Sequence, residues 1–219
     1  GKTDGSCVAL YGDSYTAFMG HNMGLRFTSL INEEIVKTPF IIDSNYRLNN
    51  LKDIAQVRFG FVAIDSNSNL IAWGDNTYGA LTNGKSSVYK EPINIMPDKL
   101  FKDISCGPTS SLAIDEYGMM WVWGDNSANR LGLKDVEKEI KPVPINNDTD
   151  WEKVFALKNN SYGIKKDGSL WAWGYGYLGV GGEESLVTKP TKVKEDGPWK
   201  KVHSTDNHTL ALKEDGTLW

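Results

Sequence analysis

An all-β propeller of four-stranded antiparallel blades is the fold that the sequence predicts, and three observations carry the prediction. A tryptophan stretch is written three times, as Leu70-Ile-Ala-Trp73-Gly-Asp-Asn, Met120-Trp-Val-Trp123-Gly-Asp-Asn and Leu170-Trp-Ala-Trp173-Gly-Tyr-Gly. Trp73, Trp123 and Trp173 are 50 residues apart at each step. Four short strand-like signals recur in fixed order around them. Self-similarity at this period marks a repeat architecture, in which each unit buries its apolar faces against its neighbours. Four short strands and one tryptophan motif per unit is the pattern of a propeller blade. A β-sandwich also has many short strands, but they do not recur as a family at a constant step.

The first strand signal is a short apolar step: Leu51-Lys-Asp-Ile54, Phe101-Lys-Asp-Ile104, Trp151-Glu-Lys-Val154 and Trp199-Lys-Lys-Val202. The second is an apolar run: Phe61-Val-Ala-Ile64, Ser111-Leu-Ala-Ile114, Ser161-Tyr-Gly-Ile164 and Thr209-Leu-Ala-Leu212. A polar turn follows, clearest in Lys166-Asp-Gly168 and Glu214-Asp-Gly216, where glycine supplies the positive φ of a hairpin turn. The tryptophan stretch is the third strand. The fourth carries Pro39, Pro92, Pro142 or Pro190 near its start. Proline cannot donate to a ladder, so this strand belongs at an outer edge. No sustained 3.6-residue apolar period appears, and no helix is expected.

Trp73-Gly-Asp-Asn-Thr-Tyr-Gly-Ala-Leu-Thr-Asn-Gly84 resembles the repeat of the regulator of chromosome condensation family, W-G-x-N-x-x-G-Q-L-G-x-G. Trp123-Gly-Asp-Asn-Ser-Ala-Asn-Arg-Leu-Gly132 fits with Asn129 in place of a glycine, and Trp173-Gly-Tyr-Gly-Tyr-Leu-Gly-Val-Gly-Gly182 fits with a short deletion. Asn207 to Trp219 is similar to the stretch that leads into the next Trp-Gly of the family. The style of the repeats points to a bacterial-type member. The family's rings usually have seven blades, which at this step implies about 350 residues.

The expected organisation is a single propeller segment, 1–219, of about four blades, read as a fragment of a seven-bladed ring. Residues 51–100, 101–150 and 151–198 form complete repeats, and 199–219 a partial one. Residues 1–50 are expected to be a degenerate partial repeat beginning at a third strand, with Tyr11 in the second tryptophan's place. From Tyr11 to Pro39 is 39 − 11 = 28 residues, against 92 − 73 = 19 from Trp73 to Pro92. About nine extra residues are therefore expected in a long loop containing His21, Arg26 and Phe27.

Composition narrows the function. The 219 residues are 40% hydrophobic and 24% charged, with net charge −4 from 24 basic and 28 acidic side chains. That is an ordinary globular balance, and no basic run suggests a phosphate-tracking face, so nucleic acid is not an expected partner. No apolar run approaches the length of a membrane span. Cys7 and Cys106 make neither a disulfide framework nor a metal site. Cys106 reads as a small buried residue at a strand end. His203 and His208 have no third ligand at metal spacing, and no phosphate loop or nucleophile elbow occurs. Neither cofactor nor catalytic residue is expected.

The recurrence of Trp, Gly and Asn in successive units argues that they are structural. Trp73, Trp123 and Trp173 are expected between blades, Gly74, Gly124 and Gly174 where backbones approach closely, and Asp75-Asn76 and Asp125-Asn126 in turns. Only non-repeating residues can specify one partner. The candidates are Tyr15, Phe18, His21, Arg26 and Phe27 in the long 13–36 loop, expected to be exposed, and the loop from Gly84 to Tyr89. The expected function is a non-catalytic protein-interaction scaffold. The alternatives are a carbohydrate- or cell-surface-binding propeller, secreted or surface-exposed as against cytoplasmic, and an activity like that of the family's guanine-nucleotide exchange factor, for which no matching loop residue is found.

Overall fold

Each apolar run of the sequence becomes a strand, and each polar turn reverses the chain. The computed structural model describes residues 7–11, 15–21, 35–41, 51–81, 84, 88–181, 185–204 and 208–219, the first three segments by their backbone. The strands are β1 (Cys7–Tyr11), β2 (Tyr15–His21), β3 (Ile35–Ile41), β4 (Asp53–Val57), β5 (Gly60–Ile64), β6 (Leu70–Asp75), β7 (Val88–Asn94) and β8 (Phe101–Cys106). They continue as β9 (Ser110–Asp115), β10 (Met120–Asp125), β11 (Lys138–Pro144), β12 (Trp151–Ala156), β13 (Asn160–Lys165), β14 (Leu170–Tyr175), β15 (Leu186–Lys192), β16 (Trp199–Ser204) and β17 (Thr209–Lys213). A single 3-10 turn at Ser127–Asn129 is the one helical element among the described residues.

Neighbours in sequence are neighbours in space. β4 to β7, β8 to β11 and β12 to β15 each form a four-stranded antiparallel meander. β1 to β3 form a three-stranded sheet and β16–β17 a two-stranded one. Trp219 pairs with Ala211 through reciprocal 2.9 Å backbone bonds, which begins a third strand there. Every four-stranded blade has a register shift at the tryptophan, between Ala72 and Gly74, Val122 and Gly124, or Ala172 and Gly174.

That shift corrects the reading of the first fifty residues. β2 slips against β3 between Phe18 and Gly20, with His21 opposite Ile35 as Asp75 is opposite Val88. Met19 therefore stands in the tryptophan position and Gly20 in that of Gly74, and Cys7–Tyr11 is a second strand, not a third. From Met19 to Pro39 is 39 − 19 = 20 residues, one more than in the next blade. The expected nine-residue insertion is absent: Tyr11 ends a second strand, and with the glycine that follows it in sequence it imitates Trp-Gly.

The core lies between the blades. Val62, Leu70, Ala72 and Leu81 of one blade enclose Trp123 of the next; Leu112, Met120, Leu131 and Ile145 enclose Trp173. Trp73, Trp123 and Trp173 are all 0% exposed, as their recurrence predicted. The indoles of Trp123 and Trp173 bridge blades as well as fill space. Trp123 Nε1 donates to the Ala80 carbonyl at 2.8 Å, and Trp173 Nε1 to the Arg130 carbonyl at 2.9 Å. The same two carbonyls accept Ser111 Oγ and Ser161 Oγ, each at 2.8 Å. Gly124 and Gly174, each after its tryptophan, have no room for a side chain: a Cβ on Gly124, at φ 107°, would stand 2.5 Å from the Thr109 carbonyl.

First strands of successive blades lie side by side, so their outward edges need polar partners. Asp103 Oδ2 accepts the Val154 N–H at 2.7 Å and Ser105 Oγ accepts the Ala156 N–H at 2.9 Å, both across a blade boundary. Burial pushes the Asp103 carboxyl up to about 7 against the opposing effect of the Val154 bond, and nearby Asp53 adds to the rise. Cys106 ends β8 with its thiol 3.2 Å from Ser111 Oγ, and burial pushes that thiol up to about 12.

Two expectations follow. Trp123→Phe keeps the ring but removes the donor, and should cost about 1–2 kcal/mol in urea unfolding; Trp123→Ala should cost about 3–5 kcal/mol. Asp103 binds its proton more tightly folded than unfolded, so its contribution to stability is complete below about pH 4 and is lost as pH rises through about 7. Asn at this position still accepts the Val154 N–H. Asp103→Asn should therefore match wild type at pH 4 and exceed it at pH 8 by at least about 1 kcal/mol, measured by denaturation at both pH values.

Candidate protein-interaction rim

The meander gives the molecule two rims. Turns between second and third strands share one rim with the connections from a fourth strand to the next blade. There a single constellation recurs. Lys165 Nζ lies 4.9 and 4.7 Å from the ring centres of Trp151 and Trp171 and bonds Asp148 and Asp150 at 2.7 and 3.0 Å. Burial works against the Lys165 charge, but these carboxylates outweigh it and hold the ammonium above its ordinary range. Lys213 sits likewise over Trp199 and Trp219, 5.1 and 4.3 Å away, with Glu195 at 3.0 Å. A device used in successive blades ties turns together and cannot distinguish one partner.

The other rim carries the turns between first and second strands and the loops after third strands, and it changes from blade to blade. Its β4–β5 turn is Arg58-Phe59, where the next two blades have Pro108-Thr109 and Lys158-Asn159. The Arg58 guanidinium lies 5.1 Å from the centre of the Phe59 ring and 5.6 Å from that of Tyr78. The two rings stack at 5.9 Å and 27°. Arg58 N–H donates to the Pro108 carbonyl at 2.8 Å, which anchors the turn to the next blade. Arg58 is exposed and both rings are half-buried. This ordered cation–aromatic patch faces solvent.

The second blade uses its arginine differently. Arg130, 8% exposed, donates Nε to the Ser127 carbonyl at 2.8 Å and Nη1 to Thr109 Oγ1 at 2.9 Å, and pairs with Asp125 at 3.4 Å. Burial lowers its affinity for the proton and Asp125 restores part of it. In the third blade Tyr175 and Tyr177 replace these polar positions and are 52% and 96% exposed.

Asp75 and Asn76 behave as turn residues, as expected. Asp75 Oδ1 accepts the Thr77 N–H at 2.9 Å, and Asn76 Oδ1 accepts the Leu81 N–H at 2.8 Å. Asn126 repeats the second bond to Leu131 at 2.8 Å. His203 on β16 and His208 before β17 are exposed.

Of the residues singled out from sequence, Tyr15, Phe18 and His21 lie on β2, with the His21 end at this same rim by its register. Arg26 and Phe27 lie outside the described residues. In the second candidate loop Gly84 packs on Lys141, where a Cβ would stand 2.7 Å from Cε. Arg58, Phe59 and Tyr78 were missed. Their signal was present: Arg58-Phe59 occupies a turn whose counterparts share neither residue.

The model of the regulator of chromosome condensation (RCC1) repeat matches residues 67–114 and 167–212. No curated protein matches the sequence. Solved structures do match in fold. Human WBSCR16 is 16% identical with a TM-score of 0.80, over 97% of this chain and 58% of that one. Yeast RCC1 (Prp20) bound to Kap60 is 23% identical with a TM-score of 0.80, over 97% and 53%. Prp20p from Saccharomyces cerevisiae, described with its binding to Gsp1p and histones, is 23% identical with a TM-score of 0.81, over 97% and 54%. The chain thus spans just over half the length of these structures. The RCC1 repeat is thus matched in two separate segments of the chain, and the blades stack in the same propeller fold as these structures.

Proposed function

We propose that the chain is a non-catalytic protein-interaction platform that engages a protein partner through the rim bearing Arg58, Phe59 and Tyr78. The observation that carries this reading is the ordered stack of one guanidinium on two half-exposed rings at a position that differs in every blade. Arginine and tyrosine dominate binding energy at protein interfaces. A stack already formed loses little side-chain freedom on binding. The partners named for the yeast relative, Kap60, Gsp1p and histones, fit a protein-binding role. A carbohydrate ligand has no counterpart among those named partners. The 13–36 segment joins the proposal through the His21 end of β2, which reaches the same rim.

Affinity capture with the purified chain tests it. Arg58→Ala and Tyr78→Ala should each lower retention of a bound protein about tenfold, with unchanged circular dichroism. Tyr117→Ala, in a turn of the opposite rim, should leave retention intact. Loss with Tyr117→Ala and none with the other two would move the binding surface to the opposite rim.

A further inference from the structure

The loop after each third strand lies beside the start of the next blade's outer strand. Between the first two complete blades this groove is filled from within. Lys138 Nζ, from the start of β11, donates to the Thr77 carbonyl at 3.3 Å. Its stem and the Ile140 side chain pack on Gly79, where a Cβ would stand 2.8 Å from Lys138 Cε and 3.2 Å from Ile140 Cγ2. One blade on, strand register puts Leu186 where Lys138 was and Thr188 where Ile140 was, since Asp125 pairs Lys138 and Tyr175 pairs Leu186. Leucine carries no cation and threonine is shorter than isoleucine. Among the described residues the groove there is open, a cleft of about 870 Å³ between the 125–138 loop and Leu186 and Thr188.

The lining suits the group that is missing from within. Ser127 is the counterpart of Thr77, and its carbonyl takes one bond, from Arg130 Nε at 2.8 Å, leaving a second lone pair. Asp135 and Glu137 line the same cleft, and among the described residues neither carboxylate has an ion-pair partner. The other charges are engaged or single: Asp125 pairs with Arg130, Lys138 turns to Thr77, and Lys134 is the remaining cation of the lining. The loop is preorganised, with Asn126 Nδ2 donating to the carbonyls of Leu133 at 2.7 Å and Val136 at 2.5 Å.

We propose that this cleft is the seat of a lysine side chain from a protein partner, entering as Lys138 enters the groove one blade earlier. Its ammonium meets the Ser127 carbonyl and the carboxylates of Asp135 and Glu137, and its stem lies on Val136 and Leu186. The proposal rests on the reading of this rim as protein-binding and names the chemistry recognised there.

Amide NMR titration of the chain with N-acetyl-lysine-N-methylamide tests it. Amides of residues 126–137 should shift and saturate, and the Nε-acetylated probe should bind at least about tenfold more weakly. Asp135→Asn with Glu137→Gln should weaken the probe to the same degree, the spectra themselves reporting that the fold persists. Leu186→Lys should fill the cleft from within and abolish the shifts. No saturable shift in the wild type, equal binding of the acetylated probe, or indifference to the double carboxylate variant would each overturn the proposal. Arg58 and Tyr78 lie outside the cleft, so failure here beside Arg58-dependent capture rejects the lysine seat alone. Lysine binding beside capture that ignores Arg58 and Tyr78 rejects the aromatic patch alone.

Discussion

The stacking of the three four-stranded blades depends on one shared carbonyl at each of their two boundaries. Ala80 and Arg130 each present a buried backbone oxygen that accepts an indole N–H and a serine hydroxyl from the following blade. A buried indole N–H without a partner would cost about 1–3 kcal/mol. The donor must therefore find the oxygen, and in doing so it fixes the spacing and tilt of two strands at once. The oxygen is itself placed by the asparagine four residues ahead in the loop, since Asn76 Oδ1 and Asn126 Oδ1 hold the N–H of Leu81 and Leu131 in the same peptide units. Asparagine, carbonyl, tryptophan and serine are thus one mechanical linkage that crosses from blade to blade.

This linkage explains why the repeated positions are so few and why they lie inside the stack. Everything that recurs is buried at a boundary or locks a turn, as with Lys165 between Trp151 and Trp171. The loop tips on the opposite rim are held at their bases but not at their exposed ends. They can differ without disturbing the stack. Arginine shows the freedom directly: Arg130 is drawn inward to Thr109 and Asp125, whereas Arg58 lies over two rings at the surface.

The fold was legible because the constraint that sets it leaves a repeated trace. Tryptophan spacing, the Asp-Gly turns and the prolines of the fourth strands each marked an element that the structure contains. The first fifty residues misled because their trace is altered at the diagnostic place. Met19 stands where tryptophan is expected, and Tyr11-Gly12 offers a false Trp-Gly eight residues earlier. Two better markers were available. Gly20, whose counterparts sit where backbones crowd, lies near the expected distance from Pro39, and Cys7-Val-Ala-Leu10 matches Phe61-Val-Ala-Ile64 in pattern. The rim was less legible because turns of two residues leave no period; Arg58 gains meaning only when Phe59 and Tyr78 are brought beside it by the β5–β6 pairing.

Specificity in such a stack arises by single substitutions at equivalent positions. Lys138 and Leu186 open their outer strands at the same register, yet one closes a groove and the other leaves it open. The closed groove needs a glycine beneath the lysine stem, and Gly79 supplies it; the open one has Asn129 at that place, with φ 54°. Asparagine tolerates the left-handed backbone, so the loop keeps its course without the glycine. The loop keeps its shape, loses its internal occupant and retains the carbonyl and carboxylates that an ammonium requires. A repeat that is rigid at its base therefore converts a change of one or two residues into a site without altering the fold that carries it.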